Sequence, residues 1–300
     1  MKGVFNFNLI FAMIAGAMIL FLAIYGVVKL GEIFRFQEES ETAKELTILT
    51  DPLQSGFAEA KYGEISFPKE TRIRNFCTAN EFGRNDISTA EQAKGEWVYG
   101  AEISVYNKYI FSSEKSGSKF YAFSKAFEFP YKVADLIFIS SESFCFINPW
   151  EEIEEEIEGL GIENIHIDNC SIEDIRVCFD SSNCEINVFG NVDEGYVEKS
   201  GIRSYFIGNL IYGAILADKG IYECNAERLI YRAGRIADIF GKKADLMNSR
   251  GIDTNLKEDL ILWQSSLEDS KSEDLIVLNQ IAKELNNKNE LEKRGGGGIW

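Results

Sequence analysis

An uncharged stretch near the start of the chain constrains the fold more than any other sequence feature. No charged residue occurs from Gly3 to Val28, and residues 9–28 read LIFAMIAGAMILFLAIYGVV. A helix of about 20 residues crosses roughly 30 Å of hydrocarbon, and this stretch is apolar on every face, as a lipid-facing helix is. The sequence therefore predicts a transmembrane helix, with the lipid bilayer as a partner.

A cleaved signal peptide is the alternative for the same stretch. The apolar run exceeds the roughly 7–15 residues of a signal-peptide core, and Lys29-Leu30-Gly31-Glu32 follows it in place of an A-x-A-like cleavage site. We therefore favour an uncleaved anchor. Ala12 and Gly16 belong to a patch of small residues, which lets two helix backbones approach closely. We predict that these two residues form a membrane-helix interface with another membrane or envelope protein.

The cysteines indicate on which side of the membrane the large domain lies. All six follow the apolar stretch, and none forms a C-x-x-C motif. An even set of cysteines is typical of disulfide bonds in an oxidising compartment, whereas six buried reduced thiols are the alternative. The positive-inside rule leans the other way, because Lys29, Arg35 and Lys44 follow the apolar stretch. We expect a single-pass protein of the cell membrane with its large domain extracytoplasmic.

The pairing of the cysteines is less constrained than their oxidation state. Six cysteines permit 15 pairings. We predict a Cys170–Cys178 bond, because these residues bracket a short segment, and take Cys145–Cys184 and Cys77–Cys224 for the remaining four.

The rest of the chain divides by its hydrophobic period. Residues 1–50 should form the transmembrane helix and its amphipathic continuation, and residues 51–202 are rich in short β-branched and aromatic runs separated by turn residues. Residues 203–293 show helical spacing, and 294–300 suggest a flexible tail. We expect an α+β fold with an N-terminal transmembrane helix, a mostly antiparallel β ectodomain and a C-terminal antiparallel helical bundle.

Two local predictions lie within the β-rich part. The run EEIEEEIEGL after Pro149-Trp150 places Ile153, Ile157 and Leu160 on one face of a helix. Further along, the strands 175–179 and 185–189 are separated by Asp180-Ser181-Ser182-Asn183, a pattern typical of a β-hairpin.

Composition excludes several function classes. The chain has 48 acidic and 31 basic residues and a net charge of -17, which argues against nucleic-acid binding because phosphates require Lys and Arg. It has one histidine, His166, and lacks phosphate-loop, zinc-protease and G-x-S-x-G motifs. We identify no catalytic, cofactor-binding or metal-binding residue, expect no cofactor, and lean towards a protein that is not an enzyme.

Two resemblances add a setting. The segments FNFNLIFAMIAGAMILFLAIYG, GEISFPKETRIRNFC, AFEFPYKVADLIF and YECNAERL together resemble an uncharacterised family of single-pass membrane proteins from small-genome archaea. The first 50 residues, with Lys2-Gly3 before a long apolar helix, are similar to archaeal type IV pilins. The second resemblance implies apolar helices that pack together in the core of a filament.

These observations support three functional hypotheses. The leading one is a membrane-anchored cell-envelope protein with a structural or interaction role, such as a subunit of a surface or secretion assembly. The alternatives are a ligand-binding or sensory ectodomain and an anchored hydrolase that uses carboxylates. A large exposed apolar surface favours assembly, an apolar cleft favours ligand binding, and a deep pocket with converging, perturbed carboxylates favours hydrolysis.

Overall fold

The N-terminal helix is longer than the apolar stretch that predicts it. The computed structural model describes residues 7–49, 62–93 and 95–300. Helix α1 runs from Phe7 to Leu49, over 43 residues. Its second half packs on the β-rich body: Ala43 is fully buried, and the backbone N–H of Ala101 donates to the hydroxyl of Ser40 at 2.8 Å.

The prediction of a transmembrane helix is wrong. Over the residues that the structure describes, no helix combines the length and the apolar character that a membrane span requires. Helix α1 is long enough to span a membrane but not apolar enough. The same helix continues from the apolar stretch into a second half that carries Lys29, Glu32 and Arg35.

A mixed sheet of seven strands forms the first layer of the described body. Its order is β3-β2-β1-β6-β7-β5, with β4 paired to β2, and only the β5–β7 pair is parallel. The register of β1 shifts against β6 between Ser66 and Thr71, around Pro68, which has no N–H to give to a ladder. The strands are β1 (Tyr62–Thr78), β2 (Arg84–Ala93), β3 (Glu96–Tyr99), β4 (Ile103–Val105), β5 (Tyr109–Phe111), β6 (Lys115–Glu128) and β7 (Lys132–Ser140).

A second sheet of six strands, in the order β13-β12-β11-β10-β8-β9, follows in the described chain. Strands β11 to β13 are antiparallel, but β10 pairs in parallel with both β11 and β8, and β8 with β9. The expectation of a hairpin at 175–189 is therefore wrong. Both sheets are mixed, although most of the described strand pairs are antiparallel, as expected. The strands are β8 (Phe144–Ile147), β9 (Ile165–Ile167), β10 (Ile175–Phe179), β11 (Ile186–Gly190), β12 (Glu194–Lys199) and β13 (Ile202–Ile207).

Helix α2 (Glu151–Leu160) is the crossover that makes β8 and β9 parallel. As the sequence predicts, Ile153, Ile157 and Leu160 form its buried face. Gly161 ends the helix in the left-handed conformation, and its N–H donates to the carbonyl of Ile157 at 3.1 Å.

The C-terminal helices share one core with both sheets. They are α3 (Leu210–Leu216), α4 (Lys219–Ser249), α5 (Leu256–Leu267), a 3-10 turn (Ser272–Asp274) and α6 (Leu275–Gly295). Phe111 and Phe138 of the first sheet, Val188 of the second, and Tyr212 and Trp263 of the helices belong to the same buried cluster. The C-terminal helices pack on one another, and their apolar faces pack on the sheets as well. The fold is α+β with two mixed sheets.

The C-terminal residues, which we expected to form a flexible tail, are packed. Ile299 is 2% exposed, and its N–H donates to the side-chain oxygen of Asn289 at 2.7 Å. The ring of Trp300 stacks on Phe240 at 5.5 Å between centroids. Two apolar side chains therefore fix the glycine-rich segment on the helices.

All six cysteines are in disulfide bonds. Cys77 pairs with Cys224, as we predicted. The other two predicted pairings, Cys170–Cys178 and Cys145–Cys184, are wrong: the bonds are Cys145–Cys170 and Cys178–Cys184. The Cys170–Cys178 prediction rested on the short segment between the two residues, whereas the parallel β8–β9 pair brings Cys170 within 5.3 Å of Cys145 between Cα atoms.

The disulfides should stabilise the fold according to the length of chain that each one closes. The Cys77–Cys224 bond spans 147 residues and the Cys178–Cys184 bond spans six. Loop-closure entropy predicts that the long bond contributes about 3 kcal/mol more to the free energy of unfolding. In urea unfolding, the double variant C77A/C224A should therefore lose about 3 kcal/mol more unfolding free energy than the double variant C178A/C184A. Equal losses would contradict the entropic account.

Candidate functional site

The predicted membrane-helix interface has no contacts in the described part of the chain. The side chain of Ala12 lies outside the described residues. A Cβ atom built at Gly16 would meet no atom within 4 Å. The structure therefore places Gly16 on an open surface of α1.

The surface around Gly16 is broadly apolar. Met18 to Leu22 are five successive residues with 60–68% exposure, and five successive helical positions cover every face of a helix. We call residues 13–28 the apolar half of α1. Its large exposed side chains, between 43% and 71% accessible, are Met13, Ile14, Met18, Ile19, Leu20, Phe21, Leu22, Ile24, Tyr25, Val27 and Val28.

A buried arginine joins α4 to the first sheet. Arg228 is fully buried. Its Nε donates to the carbonyl of Phe82 at 2.8 Å, and its Nη1 donates to the side-chain oxygens of Asn85 at 2.6 Å and Asn225 at 2.8 Å. Its Nη2 donates to the carbonyl of Lys108 at 3.1 Å. One guanidinium thus holds the β1–β2 turn and the segment before β5 against the helix.

No carboxylate accepts a hydrogen bond from this guanidinium among the described residues. The acceptors described for Arg228 are carbonyl and amide oxygens and, at 4.0 Å, the sulfur of Cys77. Its Cζ atom lies 4.7 Å from the ring centre of Tyr109. Burial lowers the pKa of Arg228 to about 10, because removal from water disfavours the charged form. The Cys77–Cys224 bond joins the same strand and helix beside it. Together these contacts form what we call the Arg228 junction.

The turn that Arg228 holds requires a glycine. Gly83 has a φ of +53°, and a Cβ there would lie 2.0 Å from the carbonyl oxygen of Thr78. Next to it, Phe82 packs edge to face on Tyr231 of α4, with ring centroids 5.1 Å apart. The turn therefore forms a fixed wall beside α4.

A groove of about 580 Å³ lies between this turn, α4 and the end of α5. We call it the α4–α5 groove. One wall is a single stripe of α4 with the spacing i, i+3, i+4, i+7 and i+8. That stripe consists of Glu227, Ile230, Tyr231, Gly234 and Arg235, and the other lining residues are Ala79, Glu81, Gln264, Leu267, Glu268, Asp269, Ser270 and Lys271.

The groove has an apolar floor and a charged rim. Ile230 and Leu267 are 2% and 5% exposed. Gly234 widens the floor, since a Cβ there would meet only Leu267, at 3.7 Å. The rim has four carboxylates, which form no ion pair or side-chain hydrogen bond with the other described residues. They are Glu81, Glu227, Glu268 and Asp269.

Sequence reasoning missed this groove. Its three walls come from residues 79–81, 227–235 and 264–271, which are far apart in the chain. The stripe on α4 is the part of the groove that the sequence could have indicated, because a glycine and two charged residues share one helix face with Ile230 and Tyr231. The matching walls become visible only once the chain is folded.

The described residues contain no group of side chains arranged to bind a metal ion. Across residues 7–49, 62–93 and 95–300, no three His, Cys, Asp or Glu side chains are placed to hold a metal ion. His166 lies exposed on β9.

No protein-family profile, curated protein or solved structure matches this chain.

The Arg228 junction should be critical for stability. Replacing Arg228 by Met removes the buried hydrogen bonds to the side-chain oxygens of Asn85 and Asn225 and to the carbonyl of Lys108. Each loss costs about 1–3 kcal/mol. We expect R228M to lose at least about 3 kcal/mol of unfolding free energy in urea titrations. The matched control is R203M: Arg203 is 54% exposed and pairs with Glu198, so its loss should stay below about 1 kcal/mol. Equal losses of unfolding free energy in R228M and R203M would contradict a stabilising role of the Arg228 junction.

The buried amine of Lys199 should make stability depend on pH. Its Nζ donates to the carbonyl of Ala217 at 2.8 Å, and burial lowers its pKa to about 8 despite the nearby charges of Asp218 and Glu142. Between that value and the ordinary 10.5, the unfolded chain binds more protons than the folded chain, so stability rises with pH. Relative to K199M, the wild type should gain up to about 1.4 kcal/mol per pH unit above pH 8.

Urea unfolding from about pH 7.5 to 9.5 measures this gain before tyrosine ionisation contributes. K283M serves as the control, because Lys283 is 49% exposed. A wild type whose stability runs parallel to that of K199M over this range would disprove the assignment.

Proposed function

We propose that this protein is an extracytoplasmic subunit of a surface assembly. The apolar half of α1 is its docking segment and packs against the same segment of other copies, and the disulfide-bonded body is displayed outside the bundle. The observation that carries the proposal is the exposure of eleven large apolar side chains on residues 13–28.

The size of this surface supports association. Monomeric soluble proteins seldom expose contiguous apolar patches larger than a few hundred Å². Full burial of one such side chain contributes about 1.5–3 kcal/mol, so water strongly favours covering the segment. Because the exposed side chains surround α1, one neighbouring helix would cover only one side. A bundle of several helices covers them all.

The disulfide bonds support the compartment. All six cysteines are paired, which is the usual state of secreted and surface proteins and a rare one in a reducing cytosol. The similarity of the first 50 residues to archaeal type IV pilins, in which apolar helices pack in a filament core, supports the same arrangement.

Charge on the docking segment should disperse the assembly. We expect sedimentation velocity of the full chain to show oligomers. The variant F21E replaces an apolar side chain that is 66% exposed by a charged one. It should weaken association about 10- to 100-fold, the equivalent of about 1.5–3 kcal/mol. Circular dichroism should stay unchanged, because Phe21 lies outside the body of the protein.

The matched control is I172E. Ile172 is fully exposed on the body, so the same change in chemistry there should leave the oligomers intact. Oligomers that persist in F21E would contradict the proposal. So would a wild type that stays monomeric and floats with phospholipid vesicles, since lipid rather than protein would then cover the segment.

A further inference from the structure

We propose that the α4–α5 groove binds a basic peptide segment of a partner protein. A lysine or arginine side chain of the partner lies along the apolar floor, and its charged head meets the carboxylates of the rim. The site is separate from the apolar half of α1, and it does not depend on the assembly proposed above.

The charge of the rim selects a cation. Four carboxylates face two cationic side chains, Arg235 and Lys271, and none of the four forms an ion pair with any described residue. Elsewhere in the described chain, exposed carboxylates do have such partners, as Asp193 has in Lys283 at 3.1 Å. Carboxylates that converge on one groove raise the local concentration of cations. The groove thus attracts a positive group that the described part of the chain does not supply.

The floor selects a cation with an apolar stem. Lysine and arginine bury their methylene chains along apolar surface and keep the charged head at its edge. Ile230 and Leu267 provide such a surface, and the half-buried ring of Tyr231 stands beside it. An aromatic face also attracts ammonium and guanidinium groups. A metal ion would use the carboxylates but not the floor.

The open shape favours a segment of a larger partner. Sites for small molecules enclose about 70–90% of the ligand surface, whereas this groove is partly open to solvent. An extended segment compensates for that exposure, because its neighbouring residues add contacts along the rim.

The walls of the groove are already in place before binding. Arg228 holds the Phe82 carbonyl at 2.8 Å, the Cys77–Cys224 bond joins β1 to α4, and Phe82 packs on Tyr231. A preformed wall spares the partner the entropy of ordering it.

Titration of the full-length oxidised protein with three blocked peptides tests the proposal. At about 50 mM salt, isothermal titration calorimetry should show binding of Lys-Leu-Lys. The Lys-Ser-Lys peptide should bind several-fold more weakly, because it loses contact with the floor, and Glu-Leu-Glu should not bind. Equal affinities for the two basic peptides, or no binding of either, would overturn the proposal.

Substitutions then locate the binding site. G234M fills the floor and suits a helix better than glycine does, so it should fold and weaken Lys-Leu-Lys binding at least about tenfold. G220M is its control, because Gly220 lies on the same helix with nothing within 4 Å of a Cβ. Binding that survives G234M unchanged would place the peptide elsewhere.

Two further variants separate the rim from the overall charge of the protein. E227Q and D269N each remove one rim carboxylate, and each should weaken binding about fivefold. Asp269 has a φ of +60°, which asparagine accepts readily, so D269N keeps the loop. E258Q removes the same charge from the exposed start of α5 and should change the affinity less than twofold. An equal effect of E258Q would show that net charge alone drives binding.

Discussion

A guanidinium that is removed from water must find acceptors for its N–H groups, and Arg228 finds them on separate elements of the fold. The β1–β2 turn, strand β2, helix α4 and the residue before β5 each supply one. A buried charge costs several kcal/mol when its hydrogen bonds are incomplete, so these elements are held in one mutual arrangement. The placement of α4 on the first sheet, and with it one wall of the groove, depends on this side chain.

The disulfide between Cys77 and Cys224 acts on the same junction through the unfolded chain. It closes a span of 147 residues, so it removes more conformational freedom from the unfolded state than either of the shorter bonds. The arginine and the disulfide therefore complement each other, because one satisfies polar groups in the folded state and the other restricts the unfolded state. Their common product is the rigid turn at Phe82 and Gly83.

Local patterns in the sequence predicted what local forces decide. Helix α2 and its buried face followed from the spacing of Ile153, Ile157 and Leu160, and the disulfide bonds followed from the even cysteine count. Strand direction did not follow, because a short polar connection such as Asp180–Asn183 suits a hairpin. The strands on either side of it, β10 and β11, nevertheless pair in parallel. The Arg228 junction and the groove join segments more than 100 residues apart, so no local pattern contains them. The transmembrane prediction failed for a related reason. It was made from residues 9–28 alone, whereas the polar second half of the same helix packs on the body.

The distribution of charge determines how an assembly of this kind could be arranged. The apolar half of α1 carries no charge, so the net charge of -17 belongs to the rest of the chain. Apolar attraction between helices changes little with moderate salt, whereas repulsion between like-charged bodies acts over about 10 Å at 0.1 M salt and weakens as salt is added. Neighbouring copies would therefore be drawn together along their helices and held apart at their bodies. Such an arrangement favours a central bundle with the bodies spaced around it, and that spacing leaves the α4–α5 groove of each copy open to a basic partner.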